Sequence, residues 1–202
     1  MNEALGILET QGFTPAIVAL DAMEKAANIR VYQAELNDFL GYVVKVVGSV
    51  SDVTTAVAQG HRVAETMRGR PVSSVINRPD GQAWLGIQSK SEFNPLIQQN
   101  IVFEPQPMAD ASNSFALGFI ETQGFTAVFE AVDTACKTAG VEVVGKEKLG
   151  GGYITIVVKG DVAAVTAAIE AGKAKVEGLG KLIAGHVIAR PSAAALSLLP
   201  KA

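Results

Sequence analysis

The chain has 202 residues, a length that fits one large domain or two small ones. Charged residues make up 18% of it, below the roughly 25% of an ordinary soluble domain, so we expect other subunits to cover part of its surface. A net charge of −3 without a cluster of Lys and Arg argues against a nucleic-acid partner, and no apolar run reaches the ~20 residues of a membrane span.

The predicted elements begin with an apolar strand at Ala4–Glu9 and a turn that contains glycine. A helix follows over Thr14–Ala27, where apolar residues recur at helical spacing and Thr14 and Pro15 suit the N-cap and first helical positions. The next predicted elements are strands at Ile29–Glu35 and Tyr42–Val47, a helix that opens at Ser49–Asp52 and runs to about Thr66, and a strand at Val72–Ile76 that leads into Arg78 and Pro79.

An internal repeat organises the rest of the chain. ALGILETQGFT at Ala4–Thr14 returns as ALGFIETQGFT at Ala116–Thr126, a shift of 112 residues that holds without a gap as far as Pro79 and Pro191. We therefore predict two copies of one domain, in residues 1–79 and 116–202. The βαββαβ order predicts an α+β sandwich in which each copy is a split-βαβ sheet with helices on one face. Copy two has its later elements at Val141–Glu147, Tyr153–Lys159, Asp161–Val176 and Ile183–Ile188.

Residues 80–115 join the two copies and have no counterpart of that length after copy two. The segment holds the only tryptophan, Trp84, so we expect much of it to pack against the domains rather than to form a free linker. Within it, Pro105–Ser114 has the composition of a flexible joint, and Asn94–Gln99 could form a short helix.

Several motifs carry a family resemblance. The repeated ALGxxETxG strand, the helix sequence DAMEKAANI at Asp21–Ile29, the run from Glu147 to Gly172 and the strands that end in Arg-Pro resemble the bacterial microcompartment shell domain. Two unpermuted copies resemble the tandem subclass of that family. The resemblance implies a homotrimer that mimics a hexamer, tiles edge to edge with other shell proteins in a microcompartment shell in the cytoplasm, and encloses enzymes that are a further expected class of partner.

The resemblance also implies contacts at the edge of each tile. In the family, a lysine late in the first helix and an arginine after the last strand lie there. By position, these residues are Lys25, Lys137, Arg78 and Arg190. The alternative is that the lysines are ordinary solvated charges on a helix surface.

A central pore is the second implied site, and its two loops differ. Copy two has Lys148 followed by Leu149, Gly150, Gly151 and Gly152, whereas copy one has Leu36 followed by Asn37, Asp38, Phe39 and Leu40. Glycines let backbone amides approach the axis, while Asp and Phe would narrow the opening and disfavour anions. The alternative is that residues 37–40 only turn a hairpin away from the axis.

The sequence has only weak matches to motifs for nucleotide binding or catalysis. The sequence GVEVVGKE at Gly140–Glu147 lacks the last Ser or Thr of a phosphate-binding loop and is predicted to be a strand. His61 and His186 do not align between copies and have no acid or thiol partner nearby in sequence, so we expect a solvated His61, a packed or edge His186 and no catalytic residues.

Some unpermuted tandem shell proteins are thought to hold an iron–sulfur cluster through a cysteine of the pore loop. Here the only cysteine, Cys136, lies on a helix, so we predict neither cofactor nor metal. The start MNEALGILETQG lacks the basic and apolar regions of a secretory signal, which favours a cytosolic protein. The alternative function is a trimeric ferredoxin-like regulator that binds a small ligand between subunits.

Overall fold

The computed structural model describes residues 3–37, 40–88, 102–104 and 115–200. Its contacts divide the chain into two units. The first unit holds the described residues of 3–11 and 15–104, and the second holds those of 115–200 together with residues 12–14. The short segment Gly12–Thr14 therefore clusters with the second unit, although its sequence belongs to the first repeat.

The first unit is built on one antiparallel sheet. Its strand order is β4-β1-β3-β2-β5, with β1 paired to β3 and to β4 along its two edges. The elements are β1 Ala4–Gln11, α1 Phe13–Ala26, β2 Ile29–Leu36, β3 Gly41–Gly48, α2 Val50–Thr66, β4 Val72–Ile76, α3 Ala83–Ile87 and β5 Val102–Phe103.

Helix α2 covers one face of this sheet. Ser49 caps the helix by accepting a hydrogen bond from the backbone N–H of Asp52 at 3.1 Å. The buried side of α2 lies over Gly6, where an added Cβ would come within 2.6 Å of the Val57 side chain. Because a strand alternates its faces, Leu5 and Ile7 point to the opposite side of the sheet from Gly6.

The opposite face is covered by α3, which was not predicted as a helix. Trp84 and Ile87 pack against a buried cluster that includes Tyr32, and the rings of Tyr32 and Trp84 meet edge to face with centroids 5.1 Å apart. The ammonium group of Lys45 donates a hydrogen bond to the carbonyl oxygen of Ile87 at 2.6 Å. These contacts hold the residues that follow Pro79 against the first domain.

The second unit repeats the plan with strand order β7-β8-β6-β9. Helices α4 and α5 pack against each other, and α5 is capped by the Asp161 carboxylate, which accepts from the backbone N–H of Ala164 at 2.9 Å. A short α6 follows the last strand. The elements are β6 Ala116–Gln123, α4 Phe125–Thr138, β7 Glu142–Gly150, β8 Tyr153–Gly160, α5 Val162–Ala174, β9 Lys181–Ile188 and α6 Ala193–Ser197.

The predicted α+β fold and the βαββαβ order are confirmed in both repeats. One local prediction is wrong: α1 begins at Phe13, so Thr14 and Pro15 lie within its first turn and Thr14 is not the N-cap. The predicted helix at Asn94–Gln99 and the joint at Pro105–Ser114 lie outside the described residues.

Candidate functional site

The two lysines assigned to a tile edge have equivalent positions in the structure. Lys25 lies in the last turn of α1 and Lys137 in the last turn of α4. Each ammonium group lies 2.6 Å from an aspartate four residues earlier, Asp21 or Asp133. The hydrogen bond from Lys137 to Asp133 and their charge attraction raise the pKa of Lys137.

The surroundings of the two pairs differ. The Lys25 side chain is 48% exposed and its partner Asp21 only 10%, while the Lys137 side chain is 75% exposed. The intrahelical aspartates restrict where the ammonium groups can point, and both lysines keep an exposed surface.

The two arginines lie beyond the strands that they follow. Arg78 comes two residues after β4 and Arg190 two residues after β9, and both are exposed. Arg190 already takes part in an interaction within the chain. Arg78 and Arg190 thus occupy repeat-equivalent surface positions.

The glycine loop of the second unit is a tight hairpin between β7 and β8. Gly151 and Gly152 have φ values of 54° and 81°, the left-handed region that a two-residue hairpin turn requires and that favours glycine. Gly150 and Gly151 are exposed, whereas Leu149 is buried with 6% of its surface exposed. The exposed part of this loop is therefore backbone rather than side chain.

This hairpin lies against the residues that precede α4. The Gln123 side-chain amide donates to the carbonyl oxygen of Gly151 at 3.2 Å, and the backbone N–H of Gly124 donates to that of Gly152 at 2.9 Å. The hairpin tip and the start of α4 are thereby fixed to each other.

In the first unit, Asn37 and Leu40 lie at the ends of the equivalent loop, while Asp38 and Phe39 lie outside the described residues. Leu40 has a positive φ of 64°. The amide nitrogen of Asn37 donates to the carboxylate of Glu9 at 2.6 Å. One predicted pore residue is therefore joined to an acidic residue near the end of β1.

A buried carboxylate binds the start of α1. Glu121, in β6, has no exposed surface. Its Oε1 accepts from the backbone N–H of Phe13 at 2.8 Å and its Oε2 from that of Thr14 at 2.9 Å. These N–H groups have no partner inside the helix, and the positive end of the helix dipole favours an anion there. Burial raises the pKa of Glu121, and the hydrogen bonds from Thr14 and Phe13 oppose that change.

Sequence reasoning missed this site. The contact joins residues 108 positions apart, which no local pattern predicts. The available signal was the repeated ETQGF, which places a glutamate four residues before the first helical residue of α1 and of α4.

The residues that were considered for catalysis or metal binding lie in separate parts of the structure. Nδ1 of His61 lies 2.9 Å from the hydroxyl of Ser73, beside an open cavity of about 330 Å³ that Glu65, Arg68 and Arg70 also line. Cys136 is exposed on α4. Among the described residues, no three His, Cys, Asp or Glu side chains are grouped to hold a metal. Over the same ranges, no helix is long and apolar enough to cross a membrane.

Both repeats match a known domain family. The model of the BMC domain matches residues 4–79 and, a second time, residues 116–191. The chain belongs to the BMC domain family. Its repeat is a tandem pair of BMC domains, and each match begins at the first residue of a β-strand, β1 or β6.

Some of the similar proteins match one BMC domain of this chain, and others match nearly all of it. The carboxysome assembly protein CcmO of Synechococcus elongatus is 30% identical over 200 residues, which cover 98% of this chain and 69% of that relative. The bacterial microcompartment shell protein PduA of Citrobacter freundii is 49% identical over 86 residues, 43% of this chain and 92% of PduA. The major carboxysome shell protein CsoS1A of Halothiobacillus neapolitanus is 45% identical over 96 residues, 47% of this chain and 97% of CsoS1A.

Proposed function

We propose that this protein is a structural shell protein of a bacterial microcompartment and not an enzyme. It forms a homotrimer in which six BMC domains make one pseudohexagonal tile of the shell, in the cytoplasm. The observation that carries the proposal is the tandem pair of BMC domains, because three such chains supply the six similar edges that a hexagonal tile needs. The names of PduA and CsoS1A, which describe shell proteins, support the same role.

The proposed tile edges contain Lys25, Lys137, Arg78 and Arg190, which meet other shell proteins. Each lysine is oriented by its aspartate and keeps an exposed stem that can pack against an opposing helix. The exposed arginines follow the last strand of each BMC domain and supply planar donors for carbonyl groups across the edge.

The double variant Lys25→Ala/Lys137→Ala tests this edge. We expect trimers in light scattering after size exclusion, together with loss of flat sheets in electron micrographs. Lys173→Ala is the matched control, because Lys173 also pairs with an acidic residue of its own helix, Glu170 at 2.8 Å. Sheets that persist in the double variant would contradict the assignment of the edge.

The proposed pore combines the two kinds of hairpin. The exposed backbone of Gly150 and Gly151, together with the half-buried Gly152, presents dipoles to polar solutes, while Asp38 and Phe39 of the other domain narrow the passage and repel anions. The Leu149 side chain is buried, so this residue contributes little exposed surface to the proposed pore.

Asp38→Asn isolates the charge in this proposal, since it keeps the size of the side chain. We expect faster entry of an anionic dye into shells assembled from the variant, with little change for a neutral dye of equal size. A further double variant, Asp38→Gly/Phe39→Gly, should speed both dyes. Equal rates for all three proteins would contradict a pore lined by this loop.

The alternative function, a trimeric ferredoxin-like regulator, predicts a soluble trimer whose melting temperature rises when a small ligand binds. Membership in the BMC domain family favours the shell role over it. Flat hexagonal arrays of the purified protein would support the shell role. A trimer that never forms arrays at any concentration and is stabilised by a nucleotide would support the regulator.

A further inference from the structure

The chain contains one complete and one incomplete copy of the same carboxylate site. In the complete copy, Glu121 accepts from the first two N–H groups of α1, those of Phe13 and Thr14. The repeat shift of 112 residues makes Glu9 the counterpart of Glu121, and makes Phe125 and Thr126 the counterparts of the two donors. Both halves of the second copy of this site are therefore encoded in the chain.

The donor half of the incomplete copy is uncovered. Helix α4 begins at Phe125, and Gly124 before it provides no side chain to cap the helix. Phe125 and Thr126 are exposed, whereas Phe13 and Thr14 have no exposed surface. The first N–H groups of a helix lack partners inside it and attract a carboxylate.

An apolar surface adjoins these donors. Phe125 is 44% exposed and Phe129 is 46% exposed, with ring centroids 6.1 Å apart in an edge-to-face contact. Their counterparts in the first repeat, Phe13 and Ile17, are both 0% exposed. Two large apolar side chains therefore lie side by side next to the two N–H groups, each with nearly half of its surface exposed.

The acceptor half of the incomplete copy, the Glu9 carboxylate, can accept further hydrogen bonds. Glu9 is half-buried near the end of β1, and within the described ranges its carboxylate accepts a hydrogen bond from the amide of Asn37 at 2.6 Å. An ionised carboxylate has about four acceptor sites, so Glu9 can accept two backbone N–H groups in addition.

We propose that the face formed by Phe125, Thr126 and Phe129, here called the α4 docking face, binds Glu9 of a second copy of this chain. The Glu9 carboxylate of one copy accepts from the N–H groups of Phe125 and Thr126 of the other, and the two phenylalanine rings become buried. The contact is head to tail, because the two surfaces are different, and it closes into a ring when the rotation between copies permits. It rests on the proposed homotrimer, where three such junctions would occur.

The test compares two substitutions at one position. Phe125→Pro removes the ring and the N–H, and proline suits the first helical position. Phe125→Ala removes the ring and keeps the N–H. Because a hydrogen bond to a charged group contributes more than a neutral one, we expect the dissociation constant of the assembly to be roughly tenfold or more higher for Phe125→Pro than for Phe125→Ala. Analytical ultracentrifugation measures both, with far-ultraviolet circular dichroism to confirm that each variant is folded.

A double-variant cycle identifies the partner of that N–H. We expect Glu9→Ala to weaken the assembly and Glu9→Ala/Phe125→Pro to weaken it no further than Glu9→Ala/Phe125→Ala does, because the acceptor is already gone. Additive effects would show that the N–H of Phe125 has a different partner and would overturn the proposal.

The oligomeric state separates this inference from the proposed function. Wild-type trimers with the same dissociation constant in all variants would overturn the junction and leave the shell role standing. A wild-type ring of another size that these variants dissociate would support the junction and contradict the trimer. A wild-type chain that stays monomeric at high concentration would overturn both.

Discussion

The close packing of the two helices in each BMC domain predicts unequal effects of one substitution at equivalent positions. Gly60 in α2 and Gly172 in α5 are related by the repeat. At Gly172 an added Cβ would overlap the end of the buried Ile120 side chain and lie 2.9 Å from the carbonyl oxygen of Ala131. At Gly60 it would lie 2.6 Å from Cγ and Sδ of Met23. One neighbour is backbone and the other is an unbranched, flexible side chain.

The magnitude follows from this difference. For Gly172→Ala, an ordinary contact with the backbone oxygen requires α4 and α5 to separate by roughly 0.5 Å, and overpacking of this kind costs about 1–3 kcal/mol. Alanine recovers about 1 kcal/mol through its helix propensity. We therefore expect a net loss of up to about 2 kcal/mol at Gly172. At Gly60 the methionine can change its rotamer, so the net effect should lie within about 1 kcal/mol of zero.

Urea unfolding followed by circular dichroism measures both variants at one protomer concentration, because assembly contributes to the apparent stability. A loss of about 1 kcal/mol should lower the melting temperature of a domain of this size by roughly 4–8 °C. Equal losses in the two variants would refute the reasoning, since the two sites would then be equally rigid. A larger loss at Gly60 would show that Met23 is the less adaptable neighbour.

Three further predictions concern the described contacts. Lys45→Met leaves the partly buried Glu35 without its cation, so the free energy of unfolding should fall by about 2–3 kcal/mol. The lost hydrogen bond to Ile87 should also let α3 detach, which would shift the fluorescence of Trp84, the only tryptophan, to longer wavelength. Because the pKa of Glu121 is raised in the folded protein, the stability that this group contributes is fully present below about pH 4.5 and is lost as the pH rises through the folded-state pKa. The free energy of unfolding should fall there with a slope of at most about 1.4 kcal/mol per pH unit. Glu121→Gln should flatten that part of the plot of unfolding free energy against pH, and an unchanged slope would assign it to another group. Ser49→Ala and Asp161→Ala remove equivalent helix caps and should each cost about 1 kcal/mol by urea unfolding, whereas a negligible loss would mean that water replaces the cap.

Elements with a regular pattern could be predicted from the sequence because their determinants are local. The strand at Val72–Ile76 was predicted with its observed bounds, since glycine and proline delimit a short alternating run. The β-branched residues before Gly48 likewise fix β3 to within one residue at each end. The internal repeat strengthens these predictions, because two different sequences indicate the same order of strands and helices.

Contacts that depend on distant partners could not be predicted. Lys45 lies within a run of valines, and nothing in that run shows that Gln33 and the carbonyl oxygen of Ile87 bind its ammonium group. The start of α1 was misplaced for the same reason. Thr14 looks like a capping residue, but the groups at this helix end are satisfied by Glu121, a residue of the other repeat.

The predicted pore and the proposed junction meet at a single carboxylate. Asn37, assigned to the pore loop from the sequence, donates to Glu9, which is the proposed acceptor for a second copy of the chain. In the second unit the equivalent hairpin is tied by Gln123 to the residues just before α4. A substitution at Glu9 would therefore disturb both the loop and the junction, and a change in permeability alone could not be assigned to the pore. Asn37→Ala separates the two, because it releases the loop while the carboxylate remains available to the helix of the neighbouring copy.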